Sequence, residues 1–532
     1  MKTFLKLFKN PLVLLALIVL IGGILRFWNL SEYLYFNLDE ERDLFIIRRI
    51  LVDHRPTLIG GAVPGGIYLA PGYFYITAIF AWLVGMNPVG LGIVAAILGT
   101  LSIPLIYLAG KKLFDKNVGL IASFLYATSY LVVIYNKIYW PLIFAPIVTI
   151  LVYFCLFKIV VSKKQKWFLG LFASLTLGIQ SDPATFSLIL LSIIILFLYK
   201  VSLKTKYFLW GIGFLIIAHL PLVVFDLRHD FLNLRAILKF FTGTQGGSGG
   251  IDPVRAFNGA PLLIENFSRL ILTGKPHEVA QQISPCPVYF DLREANIIYP
   301  ALFLSFAAIV YLIHKFITTH HFGLRILTLH LVIVVLGVLF YNLFFPGYTY
   351  EWFFYVFFPS FILIFSFFLA DLKKYSSIIL VGMIVSVVGV LNVHAIMNGT
   401  NQFGYKNKND AVQWSINKVG DYDFSVDSIG ACFDWGGYRY LFWYKNADPV
   451  TSYIDHLYGG WLYPKSWISD NHADTVVVFV DPDFYPPGGE LNEKYQAYLY
   501  KYNKYREKLI DSKKFGRTEV LIVDNRDKWV DF

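Results

Sequence analysis

The chain has 532 residues, of which 56% are hydrophobic, 18% aromatic and only 15% charged. Soluble domains carry about 25% charged residues, so this balance excludes a soluble globular protein and puts long apolar runs in a bilayer. The net charge of +10 sits largely in short lysine-rich turns between those runs, where it reads as a topology signal and not as a nucleic-acid surface.

Residues 1–10 carry Lys2, Lys6 and Lys9 ahead of an apolar run from Pro11 to Phe27. That run is long, and Arg26-Phe27-Trp28 does not form a small-residue cleavage site. An uncleaved first helix with a cytoplasmic N-terminus is expected, which makes residues 28–87 the first external loop. This loop contains Phe36-Asn37-Leu38-Asp39-Glu40-Glu41-Arg42-Asp43, five charges close to a membrane surface. In one reading they are the solvated first turn of a helix, where acids favour the N-terminus. In the other, Asp39 and Glu40 form an active site, with an ionised carboxylate near an acceptor hydroxyl. Glu41, Arg42 and Asp43 are expected to be mostly solvated. Leu44, Ile47 and Leu51 recur at helical spacing, which predicts an amphipathic helix over 41–54 lying on the membrane face. The apolar piece from Gly72 to Gly85 falls short of the roughly 20 residues a span needs and is expected to be interfacial as well.

Long apolar spans follow at about 88–109, 117–136, 141–161, 167–181, 184–199, 207–225, 297–314, 326–345, 352–370 and 377–396. Lysine-rich turns occur at every second connection, as cytoplasmic loops require. With the first helix this gives eleven spans and an external C-terminus.

The external connections then hold the other candidates. Lys137 lies in the turn 135–141 and Asp182 in the turn 180–183. A long external loop, 226–296, opens with Asp226-Leu227-Arg228-His229-Asp230, and a further turn is Tyr348-Thr349-Tyr350-Glu351-Trp352. Arg228 and His229 are suited to an anionic group, with Arg42 and Lys137 as weaker candidates for the same task. Asp182 is either a functional near-membrane acid or a cap for the helix after Pro183. The run Gly243–Gly250 lacks the context of a Walker or dinucleotide loop and is expected to be a mobile loop over the substrate. Cys155, Cys286 and Cys432 have no metal-ligand spacing, and a Cys286–Cys432 pairing stays open. From residue 397 the composition becomes that of a soluble domain. Strand-like runs at Thr475–Val480 and Glu519–Val523 flank a helical stretch near 491–510, which predicts a small external α/β domain over 397–532.

An N-terminal span, an Asp-Glu pair in the first external loop, an amphipathic helix, a Pro-Gly-Tyr-Phe-Tyr segment at 71–75, a multispan body and an external C-terminal domain come in that order. Together they resemble the GT-C superfamily of polytopic glycosyltransferases, in particular the branch with protein O-mannosyltransferases, aminoarabinose transferases and RgtA/B/C/D-like enzymes. The resemblance covers roughly residues 1–400. It implies a multi-pass protein of the plasma or inner membrane, with residues 1–396 as the catalytic module. The implied activity moves a sugar from a polyprenyl-phosphate donor to a glycan, lipid or protein acceptor, with membrane lipids and no nucleic acid as partners. Asp39 matches the family's catalytic base and Glu40 the acid after it. Ala70-Pro71-Gly72-Tyr73 aligns with a Pro-Pro-Leu-Tyr-like segment, with glycine for the second proline. Lys137 to Pro141 stands where many members carry a second acid, and Asp182 where related proteins often show histidine. Asp39 and Glu40 would be the ligands of a divalent cation, the one cofactor left open. Inversion by single displacement is expected, because a phosphate leaving group and a base act on opposite faces of the sugar. Two other readings are a flippase of lipid-linked glycans, which predicts mid-span charges or broken helices, and a ligase joining whole lipid-linked glycans.

Overall fold

A computed structural model describes residues 10–529 except 64, 243–253, 255–259, 274–297, 345–350, 374–377, 402–403, 430–435, 459–461, 463–466, 468, 470–472 and 481–492. The glycine run at 243–250, Cys286 and Cys432 therefore lie outside the described residues.

Polar caps set where the apolar helices begin. Asn10 accepts the Leu12 N–H at 3.0 Å and starts α1 (Pro11–Phe27). The acidic packet opens α2 (Leu38–Leu51), and a short hairpin of β1 (Ala62–Val63) and β2 (Ile67–Tyr68) follows. Next is α3 (Gly72–Leu83), whose 12 residues span about 18 Å against a hydrocarbon layer of about 30 Å. Asn87 caps α4 (Pro88–Leu113) with Pro88 in its first turn, and Asp115 caps α5 (Lys116–Thr128). After α6 (Tyr130–Tyr135) come α7 (Ala145–Val160), α8 (Trp167–Ser181), α9 (Phe186–Leu198) and α10 (Lys206–Arg228). Helices α11 (Leu232–Thr242) and α12 (Ala260–Ile271) precede α13 (Tyr299–Thr318), α14 (Phe322–Phe344), α15 (Phe358–Leu372) and α16 (Ile378–Asn398).

Every expected span is helical, but the span expected over 117–136 is two helices, with Ser129 extended between α5 and α6. Among the described residues seven helices are long and apolar enough to cross a membrane: Pro88–Leu113, Pro141–Val160, Lys206–Arg228, Tyr299–Thr318, Phe322–Leu343, Glu351–Leu372 and Ile378–Asn398. Pro141–Val160 and Glu351–Leu372 are the most buried of these, whereas Lys206–Arg228 turns side chains such as Trp210 and Ile217 outward.

The break at Ser129 frees carbonyl groups in a buried segment, where each must find a donor. Arg26, fully buried near the end of α1, supplies it. Its guanidinium donates to Tyr126 O at 3.1 Å, Ala127 O at 3.2 Å, Gly22 O at 2.9 Å and Asn136 Oδ1 at 2.9 Å. Close helix approach makes this reach available: a Cβ on Gly22 would lie 2.4 Å from Ile103 Cδ1 and 2.9 Å from Ala127 Cβ. Small residues let apolar helices meet in this way.

The C-terminal part begins with α17 (Tyr405–Val419) and β3 (Phe424–Ile429), then α18 (Tyr438–Tyr444), β4 (Thr475–Val480), α19 (Glu493–Glu507), β5 (Leu509–Phe515) and β6 (Thr518–Asp524). The sheet order is β3-β4-β6-β5, with β3 and β4 parallel and the other pairs antiparallel. Alternate residues of β4 face opposite ways. Val476 and Val478 pack with Tyr498 and Tyr505 of α19, while Val477 and Phe479 join the core shared with the membrane helices. A strand covered on both faces reads as a continuous apolar run, as Val-Val-Val-Phe-Val does here.

Candidate functional site

The packet sits on the first turn of α2. Asn37 is its N-cap, and Glu40 reaches back so that its Oε2 accepts the Asn37 N–H at 3.0 Å, one half of a capping box. Helical geometry then sends the acids in different directions. Asp39 faces outward with its side chain 74% exposed, and accepts from Arg42 Nη1 at 2.8 Å. Arg42 also donates to Asp43 Oδ1 at 2.9 Å, so one guanidinium bridges an exposed and a buried carboxylate.

The expected solvated turn is corrected here: Glu41 and Asp43 are buried. Their covers come from elsewhere in the chain. Glu41 Oε1 accepts the Tyr440 N–H of α18 at 2.7 Å, and the Tyr73 hydroxyl of α3 lies beside Asp43. Burial pushes Glu41 up to about 8, partly opposed by the Tyr440 N–H and by Lys408 and Arg439. Burial and the neighbouring Asp39 push Glu40 up to about 8 as well, and burial holds Asp43 near 6 against the pull of Arg42. A narrow cleft runs beside the packet, lined by Glu40, Asp43, Tyr73, Thr77 and Tyr139 among others.

These shifts carry a pH dependence. The folded chain keeps protons on Glu40 and Glu41 that an unfolded chain releases near the usual carboxylate range, so stability falls as pH rises from about 4.5 through about 8. The melting temperature in detergent is expected to be lower at pH 9 than at pH 6, and Glu41→Gln, an isostere of the neutral acid, is expected to flatten that slope. An unchanged slope in the variant contradicts the burial of a protonated Glu41.

Lys137 is fully buried, not exposed in a turn. Its ammonium donates to Trp28 O at 2.6 Å and sits 4.1 Å from the Tyr33 ring centroid, and burial with the nearby Arg26 charge lowers it to about 7. Asp182 caps the turn after Pro183: its Oδ1 accepts the Ala184 N–H at 2.7 Å, and burial raises it to about 6. Arg228 and His229 end α10 in exposed positions, with the His229 ring stacked on Phe225 at 4.2 Å. Next to them Asp226 accepts the N–H groups of Asn233 and Leu234, and Asn233 pairs with Tyr68 of β2, which ties this segment to the first loop.

Asp39 and Glu40 do not fit a divalent cation as the structure stands. One carboxylate is engaged by Arg42 in the open and the other is spent on the Asn37 N–H; among the described residues no group of three or more acid, histidine or cysteine side chains converges on a point.

Several organising residues escaped the sequence reading. Glu351 is buried with Arg269 Nη1 at 3.2 Å and the Tyr135 hydroxyl at 3.0 Å. Asn136 links Arg26 to the Tyr355 hydroxyl at 2.9 Å. An arginine within an apolar run was the available signal for that network. Nothing local marks Lys408 or Tyr440, because their partners lie at the other end of the chain.

The family model of dolichyl-phosphate-mannose-protein mannosyltransferases matches residues 69–225, which covers α3 to α10 and begins after the acidic packet. A search of curated proteins gives no match. A crystal structure of ArnT from Cupriavidus metallidurans bound to undecaprenyl phosphate is similar at TM-score 0.58 and 10% identity, over 95% of this chain and 97% of that one. The apo state of the same protein gives 0.57 and 10% over 96% and 97%. The Archaeoglobus fulgidus oligosaccharyltransferase tethered with an acceptor peptide gives 0.48 and 14% over 88% of this chain and 68% of that chain. The matched family segment lies inside a whole-chain likeness to ArnT, and the fold of this protein is similar to that of ArnT.

Proposed function

We propose that the protein transfers a sugar from a polyprenyl-phosphate carrier to an acceptor hydroxyl at the outer face of the membrane, with Asp39 as the general base. One observation carries this reading: of the four acids in the packet, Asp39 alone keeps an open carboxylate while Glu40, Glu41 and Asp43 are buried. The family segment supports a lipid-phosphate sugar as donor, and the likeness to an undecaprenyl-phosphate-bound ArnT supports a polyprenyl carrier.

The step balances without a cofactor. Asp39 takes the proton of the acceptor hydroxyl as that oxygen bonds to the anomeric carbon. The bond from that carbon to the phosphate oxygen breaks on the opposite face and its electron pair leaves with the lipid phosphate, so the centre inverts. The leaving group is already anionic and calls for cations. Arg42, which bridges Asp39 and Asp43, and the exposed Arg228 and His229 are candidates for that role, whereas Lys137 is committed to Trp28 and Tyr33. The eleven crossings expected from the sequence, with a cytoplasmic N-terminus and an external C-terminal domain, support an outer-face position for the packet.

Lipid and envelope-glycan profiling of cells lacking the protein tests the reading. A glycosylated product is expected to vanish while its lipid-linked sugar accumulates. That lipid, presented to the outer leaflet of mutant spheroplasts, is expected not to restore the product. Restoration indicates a flippase and overturns the assignment, as does an unchanged glycan profile.

A further inference from the structure

The residues on either side of Asp39 are held by the C-terminal domain. Lys408 of α17 is buried, and its ammonium donates to Phe36 O at 2.7 Å, to Gly436 O at 2.6 Å and to Asn37 Oδ1. An ammonium has three N–H donors, and here all three are matched, two of them by the pair of residues that lead into α2. Behind it the Tyr405 N–H donates to Leu34 O at 2.8 Å. On the far side of Asp39, Glu41 accepts the Tyr440 N–H, and the Tyr440 hydroxyl reaches Met86 O at 2.8 Å. Gly437, with φ +82°, closes the contact: a Cβ there would come 2.9 Å from the Phe36 ring and 3.0 Å from its carbonyl oxygen. One turn further along α2, Phe45 packs edge-on against Tyr440 at 5.3 Å, and Arg48 lies 4.6 Å from the Trp467 ring.

Burying a lysine ammonium and a glutamate carboxyl with separate partners desolvates a charge and a polar group, and apolar residues of similar size would often give equal or better stability. What the polar contacts add is direction. Packing alone tolerates a helix end that shifts by an ångström, whereas three N–H donors on fixed oxygens do not. A shift of that size at a reacting group lowers turnover by about 100-fold.

We propose that the C-terminal domain positions the Asp39 carboxylate, with Lys408 and Glu41 as positioning residues that fix the first turn of α2 from both sides. The inference rests on the reading of Asp39 as base. It makes the domain part of the catalytic unit through its hold on the helix that carries the base.

The test uses the full chain in cells lacking the native protein, with product measured per unit of protein in the membrane and amide exchange followed over residues 38–45 in detergent. Lys408→Met and Glu41→Leu are each expected to lower product at least about tenfold and to speed exchange over that turn by a similar factor. Glu41→Gln keeps an acceptor for the Tyr440 N–H and is expected to retain product and slow exchange, a rescue that turns on the hydrogen bond because glutamine and leucine are of similar size. Should Lys408→Met fail to accumulate, the Glu41 pair decides by itself. Wild-type product or unchanged exchange in a folded Lys408→Met or Glu41→Leu protein overturns the proposal. Asp39→Asn is run alongside: if it stays active the base assignment fails, and if it is inactive while Lys408→Met is fully active only the positioning role fails.

Discussion

Replacing Asp39 with asparagine is expected to lower sugar transfer by about two to four orders of magnitude, the range a positioned base contributes, while the protein accumulates and melts as the wild type does. The two halves of that expectation have separate causes. Asparagine has nearly the volume of aspartate but does not accept a proton, so the acceptor oxygen attacks without a base. The side chain is largely exposed and its ion pair with Arg42 is screened by water, so surface-level stability effects of about 0.5 kcal/mol are expected. Arg42 keeps its second partner, Asp43, and does not become an unpaired buried cation. Product quantified per unit of membrane protein checks the first half and thermal unfolding in detergent the second. Wild-type product at wild-type protein level removes Asp39 from the mechanism.

Two residues apart in the chain, Asp39 and Glu41 show which parts of the site are legible in sequence. That a carboxylate stands open at the head of a helix follows from a capping asparagine, the acids after it and the apolar period at Leu44, Ile47 and Leu51. That Glu41 is buried does not follow, because its cover is a backbone N–H contributed 399 residues later. Asp43 and Tyr73 are a milder case: the Pro-Gly-Tyr-Phe-Tyr segment was visible, but its docking on α2 depends on a fold in between. The apolar spans were legible because about 20 consecutive apolar residues are their own signal. The interruption of 117–136 at Ser129 was not, since no proline or glycine stands there and the carbonyls it frees are satisfied by an arginine from another helix. Cations misled for the same reason. Lys137 and Arg228 look equivalent in sequence, yet one is enclosed by Trp28 and Tyr33 and the other faces out. Residue type gives the chemistry, and only tertiary cover decides whether that chemistry is available.

Arg26→Met is expected to be the most disruptive single change in the membrane module, and it touches neither the packet nor its cleft. The methionine fills much of the arginine volume, but Tyr126 O, Ala127 O, Gly22 O and Asn136 Oδ1 lose a donor together. The position is fully buried, so no water is at hand to replace it, and each buried acceptor left without a donor commonly costs about 1–3 kcal/mol. The α5–α6 break then has two escapes, and both disturb the packing around it. Straightening into one helix moves Asn136 away from the Tyr355 hydroxyl and from Gly99, where a Cβ would lie 2.4 Å from the Asn136 side chain. Collapsing the break instead drags the Lys137 turn, which holds Trp28 at the end of α1. Low membrane accumulation and a lowered melting temperature are therefore expected, with residual transfer falling in step with folded protein. Arg26→Lys is expected to be intermediate, because three donors on a compact head do not span four acceptors that a planar guanidinium reaches at once. A methionine variant with wild-type yield and melting behaviour shows that the break is stable without its arginine, and that the Arg26 network follows from the fold rather than holding it.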